Sequence, residues 1–416
     1  MTLNIKHRDL PKLRRIALDA QGLLREAPFG CGLTGARKAV AHIGYVQIDT
    51  ISVVERAHHH VLQSRVPDYQ PAMLNQLLQQ RSIFEYWSHA AAFLPMQDYR
   101  FYARHRDFIA QRGKNWFRHR DDKLLKSILG RVESEGPLRS RDLEDPRPSR
   151  AGWWDWKPAK RALEQLYFQG DLMVTDRVGF QKVYDLTERV LPTDLNTTLP
   201  SYPEYGRFLL DQQLDCHALV SRKGITYMSA KPELKAAVKA EVDQRVADRE
   251  LIELQCPDQQ VYLCRPERLE PAAPRAPARL KILSPFDNAV IQRQRLASLF
   301  NFDYLIECYV PANKRKYGYF TLPLLFKGEF IGRIDCKAHR KTGVFEVRAL
   351  HLEPHFTTPN ERLTHAFIDS VNEFSTFQGC KEVLISHASP VSFARSLKSA
   401  NAHKGNIAWH INTRNS

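Results

Sequence analysis

The stretch Lys157-Pro158-Ala159-Lys160-Arg161-Ala162-Leu163-Glu164-Gln165-Leu166-Tyr167-Phe168-Gln169-Gly170, continued by Asp171-Leu172-Met173-Val174-Thr175-Asp176-Arg177-Val178-Gly179-Phe180-Gln181-Lys182-Val183-Tyr184, spells a helix and then a hairpin. Pro158 suits a first helical turn, where its missing N–H costs nothing, and Gly170 suits the stop, where a left-handed residue closes the last turn. Ala162, Leu163, Leu166 and Phe168 fit a partly buried helix. Leu172 to Thr175 and Phe180 to Tyr184 read as two strands, and Asp176-Arg177-Val178-Gly179 joins them as a turn with a basic tip. Upstream, Gly136-Pro137-Leu138-Arg139-Ser140-Arg141-Asp142 sets Ser140 to cap a further short helix. Helix, turn, helix, hairpin is the winged-helix order, in which the second helix can enter a DNA major groove while the hairpin meets the backbone or minor groove.

The pattern recurs at Lys231-Pro232, which opens another helical stretch before the strand-like Glu250 to Leu254 and Gln260 to Leu263. On the N-terminal side, Leu10, Leu13, Ile16, Leu18, Leu23 and Leu24 predict a helix over 8–24, and a second helix is expected from Thr34 to Ile43. This region reads as a divergent third unit. After the Pro/Ala-rich linker 268–279 comes a separate domain, with strands expected at Tyr317 to Phe326, Glu329 to Ala338, Val344 to Leu352 and Lys381 to Ser386, and a helix from Asn360 to Phe377. The expected fold class is α+β: units at 1–120, 121–196 and 197–267, then a β-rich domain at 280–416.

Charge points to the partner. The 416 residues carry 61 Lys and Arg against 46 Asp and Glu, a formal charge of +15, while 43% apolar residues suffice for packed cores. A folded basic protein calls for a polyanion. The 7 cysteines are scattered and form no CxxC pair, so they read as reduced core residues without zinc. The N-terminus lacks an apolar signal core and no apolar run approaches a membrane span, which places the protein in a cytoplasm.

No phosphate-binding loop, GxGxxG, GxSxG or HExxH motif is present. In His58-His59-His60 three adjacent imidazoles cannot aim at one ion from a regular strand, so a DNA-facing or core role fits better than a metal, and His89 reads as a satisfied buried residue. Between Arg100 and Arg120 cations interleave with Phe101, Tyr102, Phe108, Trp116 and Phe117, as nucleic-acid surfaces do, though a solvated helix face over buried aromatics has the same pattern. In Gly44-Tyr45-Val46-Gln47-Ile48-Asp49-Thr50-Ile51, an extended strand would project Gln47 and Asp49 to one side with Cα atoms about 7 Å apart, close enough to hold a water between amide and carboxylate. Alternatively Asp49 and Thr50 simply make a turn.

The blocks Gly44 to Ile51, Glu85-Tyr86-Trp87-Ser88-His89-Ala90, Gly152-Trp153-Trp154-Asp155-Trp156-Lys157-Pro158, Val183-Tyr184-Asp185-Leu186-Thr187, Leu283-Ser284-Pro285-Phe286-Asp287, Glu307-Cys308-Tyr309 and Lys314-Arg315-Lys316-Tyr317-Gly318-Tyr319-Phe320 occur in order along the chain. Together they resemble the bacterial YcaQ-type DNA glycosylases, also called AlkX, relatives of the AlkZ crosslink-unhooking enzymes. The resemblance implies three tandem winged helices with a β-rich C-terminal domain in a concave, C-shaped arrangement around DNA. It implies a monomeric, nucleoid-associated bacterial repair enzyme with neither metal nor cofactor.

The family motif is Gln, an aliphatic residue, then Asp or Gln, and Gln47-Ile48-Asp49 falls in the Asp-bearing branch. By that resemblance Asp49 is the general base and Gln47 its water-positioning partner, acting on duplex DNA that carries N7- or N3-alkylated purines or N7-linked interstrand crosslinks. Arg56, His59, Arg65, Arg104, Arg106, Lys314 and Arg315 are then the expected DNA contacts, and Trp153, Trp154 and Trp156 either stack on DNA or fill the second unit's core. A winged-helix transcription regulator would share every basic feature. It would have no use for a carboxylate at a surface that meets phosphates.

Overall fold

The computed structural model describes residues 2–116, 121–143, 158–229, 231–272, 274–356, 360–401 and 407–412. The Trp153, Trp154 and Trp156 group lies outside them, as do the side chains of 107, 108 and 110–116 and all of 117–120 in the basic stretch. Strand β1 (Thr2–Asn4) and helix α1 (Leu10–Ala20) open the chain, followed by α2 (Gly32–Ile43), β2 (Val46–Gln47), α3 (Ala57–Gln63), α4 (Pro71–Gln79), β3 (Ile83–Trp87), β4 (Ala91–Pro95) and the long α5 (Tyr99–Trp116). Strands β2, β4 and β3 form a three-stranded antiparallel sheet in that spatial order, covered by the apolar faces of α2 and α4 through Val40, Ile43, Leu74 and Leu77.

Next come α6 (Asp122–Glu135), β5 (Leu138–Arg139), α7 (Pro158–Gln169), β6 (Leu172–Val178), β7 (Gln181–Leu186) and the single turn α8 (Thr187–Val190). Helix α7 starts at Pro158 and Gly170 follows it at φ +93°, as the sequence requires. A Cβ at Gly170 would also meet Arg106 Cδ at 2.8 Å, so the close approach of α5 enforces the same residue. The hairpin turns at Gly179 and Phe180, both with positive φ, so β6 extends three residues beyond the expected Thr175 and absorbs the excess in a bulge between Val174 and Asp176. Ser140 does not cap. It lies inside a 3-10 turn, Ser140–Asp142, that Asp142 closes by accepting from Arg139 N at 2.9 Å.

Helices α9 (Tyr202–His217), α10 (Arg222–Ile225) and α11 (Pro232–Ala247) precede the hairpin of β8 (Ile252–Gln255) and β9 (Val261–Cys264). Strand β1 joins this sheet in parallel, with Leu3 opposite Leu254, and α1 packs into the same core with Leu254, Tyr262 and Leu296. The first residues of the chain thus stabilise the sheet at 252–264 rather than the one that carries Gln47.

The C-terminal region holds β10 (Leu280–Ile282), α12 (Arg293–Phe300), β11 (Thr321–Phe326), β12 (Glu329–His339), β13 (Val344–Leu352), α13 (Glu361–Phe377), β14 (Glu382–Ile385), β15 (Ala388–Ser389), α14 (Val391–Asn401) and β16 (Ala408–Ile411). Strands β10 to β13 run antiparallel in sequence order, and β14, β15 and β16 add in parallel. Asn360 caps α13 by accepting from Leu363 N at 2.9 Å. Phe345, Phe367, Val371, Phe374 and Phe393 close the core between this sheet and its helices. Among the described residues no helix is long and apolar enough to cross a membrane.

Residues 48–56 cross from the β2 sheet to this large sheet. Ala338 N donates to Val53 O at 2.9 Å, Arg340 Nη1 to Ser52 O at 3.1 Å, and Glu55 N to Gln378 Oε1 at 2.6 Å. The motif therefore lies where two cores are stitched together.

Candidate active site

Gly44 ends α2 in the left-handed region at φ +79°, and the chain then enters β2, where Gln47 pairs with Ala92 of β4. The connection between β3 and β4 is tight, with Ser88 N donating to Ala90 O at 2.9 Å, and it sets His89 against Gln47. The His89 ring meets Tyr45 edge-on at 4.9 Å and Tyr227 at 5.3 Å. Burial pushes its imidazole down to about 4, so it is neutral at pH 7. With the Ser88 hydroxyl donating to Nδ1 at 3.1 Å, the remaining proton sits on Nε2 and is donated to Gln47 Oε1, also at 3.1 Å. The Gln47 carbonyl is thereby committed, and its NH2 group is left to donate.

The strand stops at Gln47, so the shared strand face expected for Gln47 and Asp49 does not form. Ile48 N still reaches Ala91 O at 2.8 Å, but Asp49 Oδ1 accepts from Ile51 N at 2.6 Å, which is the turn that a lone Asp-Thr pair suggests. Asp49 is half-buried, and burial raises its carboxyl above the ordinary aspartate range, offset in part by the Ile51 N–H. Among the described residues it has no salt-bridge partner. Cys308 and Tyr309 lie close enough that the Asp49 charge adds to burial in raising both of their acid groups. Behind His89 a cleft of about 410 Å³ opens, lined by Tyr45, Trp87, Tyr102, Tyr205 and Tyr227.

The expected DNA contacts divide. Arg65 is fully buried: Nη1 and Nη2 hold Asp287 at 2.6 and 2.8 Å and Nε donates to Gln21 O, so this guanidinium ties two cores together and cannot reach a phosphate. Arg106 is buried too, its guanidinium 3.7 Å from the Tyr99 ring centroid. Arg104 donates to Pro200 O at 2.5 Å and lies over Tyr202. His59 accepts from or donates to the Tyr69 hydroxyl at 2.8 Å and is pushed down to about 4 by burial, hence uncharged at pH 7. Its neighbours His58 and His60 are core residues on α3, the latter bonded to Ile282 O at 2.9 Å. Arg56 is half-buried over Phe180 at 4.1 Å. Arg315 is half-buried, with Nε donating to Glu307 O and Val310 O, while Lys314 is exposed.

The hairpin tip is not a free cation. Arg177 turns back onto β3 and holds the buried Glu85 carboxylate through two bonds of 2.8 Å. The sequence reading missed this pair and the Gln47–His89 bond, because both join segments with no shared spacing; the placement of His89 beside Ser88 in a turn was the only signal. It also missed Glu307, whose carboxylate collects three backbone N–H groups, from Lys316, Tyr317 and Gly318, at 2.7 to 3.0 Å.

A model of the AlkZ-like DNA glycosylase family matches residues 40–374. Among solved structures, the Streptomyces sahachiroi DNA glycosylase AlkZ superposes with a TM-score of 0.58, covering 91% of this chain and 98% of that one at 13% identity, a likeness of fold. Since the family model spans most of the chain, including the Gln47 strand and its His89 support, the chain belongs to the AlkZ-like family of DNA glycosylases.

Proposed function

We propose that the chain is a monofunctional DNA glycosylase that hydrolyses the N-glycosidic bond of N7- or N3-alkylated purines and unhooks N7-linked interstrand crosslinks. The observation that carries this reading is the orientation of Gln47: His89 Nε2–H holds its carbonyl, which leaves its NH2 group as the donor two residues along the chain from the Asp49 carboxylate. A water set between them has its oxygen fixed by the Gln47 N–H and one proton directed at Asp49.

An alkylated purine is already cationic, so it leaves as a neutral base and needs little acid assistance. As the water oxygen bonds to C1′, the C1′–N9 bond breaks, its electron pair moves into the purine ring, and the water proton passes to Asp49. The Asp49 charge also favours the positive sugar that forms on the way. Burial without a paired cation suits this role, since it leaves the carboxylate more basic than an ordinary aspartate. Neither member of the pair is a lysine, so no Schiff base forms and the product is an abasic site. For a crosslink, one such cleavage frees the two strands. The three small sheets with their helices fit tandem winged-helix units gripping duplex DNA as a monomer, and Lys314 and Arg56 remain the best placed of the expected cations to meet phosphates.

The test is a gel assay of purified protein, with chelator, on duplex DNA carrying N7-methylguanine or a nitrogen-mustard crosslink, run beside Asp49→Asn. Abasic or unhooked product from the wild type alone supports the reading. Binding without product would overturn it.

A further inference from the structure

Residues 302–306 follow Asn301, the left-handed cap of α12, and their side chains alternate. Phe302, Tyr304 and Ile306 are buried, while Asn301, Asp303 and Leu305 face out. The outward positions are polar until Leu305, which is 60% exposed. Four residues later Tyr309, at 75%, is the most exposed large apolar side chain among the described residues. Single exposed apolar residues are ordinary, so exposure alone decides nothing.

Three further features set this loop apart. It is held rigidly: the Glu307 carboxylate gathers the N–H groups of Lys316, Tyr317 and Gly318, and Arg315 Nε bonds Glu307 O at 3.2 Å and Val310 O at 2.9 Å. Gly318, at φ +135°, lets this clamp close, because a Cβ there would meet Asp335 at 2.4 Å. The loop also stands near the candidate base: the Asp49 charge acts on both Cys308 and Tyr309, and Ile51, whose N–H holds Asp49, packs on the same core as Ile306 and Cys308. Finally, exposed Lys314 and Lys316 flank it. Rigid apolar side chains beside a carboxylate and between cations suit a polyanion with an apolar interior.

We infer that Tyr309 and Leu305 form a wedge that enters the DNA base stack at the step next to the nucleotide attacked by the water that Asp49 activates, with base-paired DNA as the partner. Attack at C1′ is eased when the stack opens beside the target nucleotide, and an inserted apolar side chain replaces the stacking that is lost there. Base–aromatic stacking is insensitive to sequence, as recognition of damage in any context requires. The inference rests on the proposed role of Asp49 for its location, and the experiment separates the two.

Duplex DNA with N7-methylguanine beside 2-aminopurine reports both stacking, by fluorescence on binding, and excision, by single turnover. Wild type, Tyr309→Ala, Tyr309→Phe, Leu305→Ser and Asp49→Asn are compared, with thermal midpoints as the folding control. The expected result is a fluorescence rise with wild type, Tyr309→Phe and Asp49→Asn, and its loss in Tyr309→Ala with excision slower by on the order of tenfold. Leu305→Ser should show a smaller loss, and the Tyr309→Ala defect should shrink when the lesion sits opposite a mismatch that has already loosened the stack. Tyr309→Ala that unstacks and excises like wild type overturns the wedge, as does an equal defect in Tyr309→Phe. If no protein excises but Tyr309→Ala alone abolishes the fluorescence rise, the wedge stands and the glycosidic chemistry assigned to Asp49 falls.

Discussion

Two carboxylates in the N-terminal region have opposite fates. Glu85 is fully buried, which by itself would raise its pKa, yet Lys182 and Arg177 outweigh that burial and hold it below the ordinary glutamate range. Asp49 is only half-buried but has a single backbone N–H for company, and its pKa is raised. Burial therefore does not decide what a carboxylate is for. A charge given its cations becomes a structural pin, here joining the hairpin of β6 and β7 to β3, whereas one left without them takes up a proton more readily.

The sharpest way to test that contrast is to neutralise each acid. Asp49→Asn should lose about 10²- to 10⁴-fold in single-turnover excision. Its Oδ1 can still accept from Ile51, so the fold should be as stable at neutral pH or slightly more so. A group whose folded pKa is raised contributes stability at low pH that is lost as pH rises through that pKa, and the amide removes the loss. A large drop in urea midpoint for Asp49→Asn would break the contrast.

Glu85→Gln should do the reverse. It leaves Arg177 buried without its counter-charge, at a cost on the order of 3 kcal/mol in urea unfolding, while the folded fraction keeps the excision rate of wild type. His89→Phe comes next. Without the Nε2–H the Gln47 amide is free to rotate, and excision should fall by about tenfold, the worth of one hydrogen bond, but by nothing further in a Gln47→Ala background. Additive losses would show that His89 does not act through Gln47.

The smallest effect is in pH. Asp49 must be ionised to accept a proton, so the acid limb of the excision profile should have its midpoint above the ordinary aspartate value of 3.8. The Glu85 contribution to stability has the opposite sign of shift: it is present above the unfolded value and is lost as pH falls through a folded value lower than 4.5. Melting curves and rate profiles over the same buffers check both, and an acid limb at or below 3.8 would remove the distinction.

Much of the chain's local structure could be read in advance. Pro158 and Gly170 bracket α7, Asn360 caps α13, and the turns at Lys327-Gly328 and Lys341-Thr342-Gly343 separate strands found close to where they were expected. Each of these signals is carried within a few residues, by a missing N–H, a permissive φ or a two-residue alternation. The candidate site was legible as residue types in Gln47 and Asp49, but not as geometry. The turn at Asp49 competes with the strand on nearly equal terms locally, and one residue past the Gln47–Ala92 pair the chain meets Ala91, where β4 begins. The basic residues were least legible of all: Arg65, Arg104, Arg106 and Lys314 carry the same charge in the sequence, yet only the last is exposed.

The sequence by itself determined the element types, the turns, the excess of positive charge and the presence of a Gln-aliphatic-Asp motif, because those depend on neighbours in the chain. Only the tertiary structure decided that β1 would join β8 across some 250 residues, that Arg177 would clasp Glu85, that His89 would hold the Gln47 carbonyl and that Asp49 would have no cation partner among the described residues. Those outcomes turn on desolvation and on partners brought from far along the chain, and neither exists until the cores have closed.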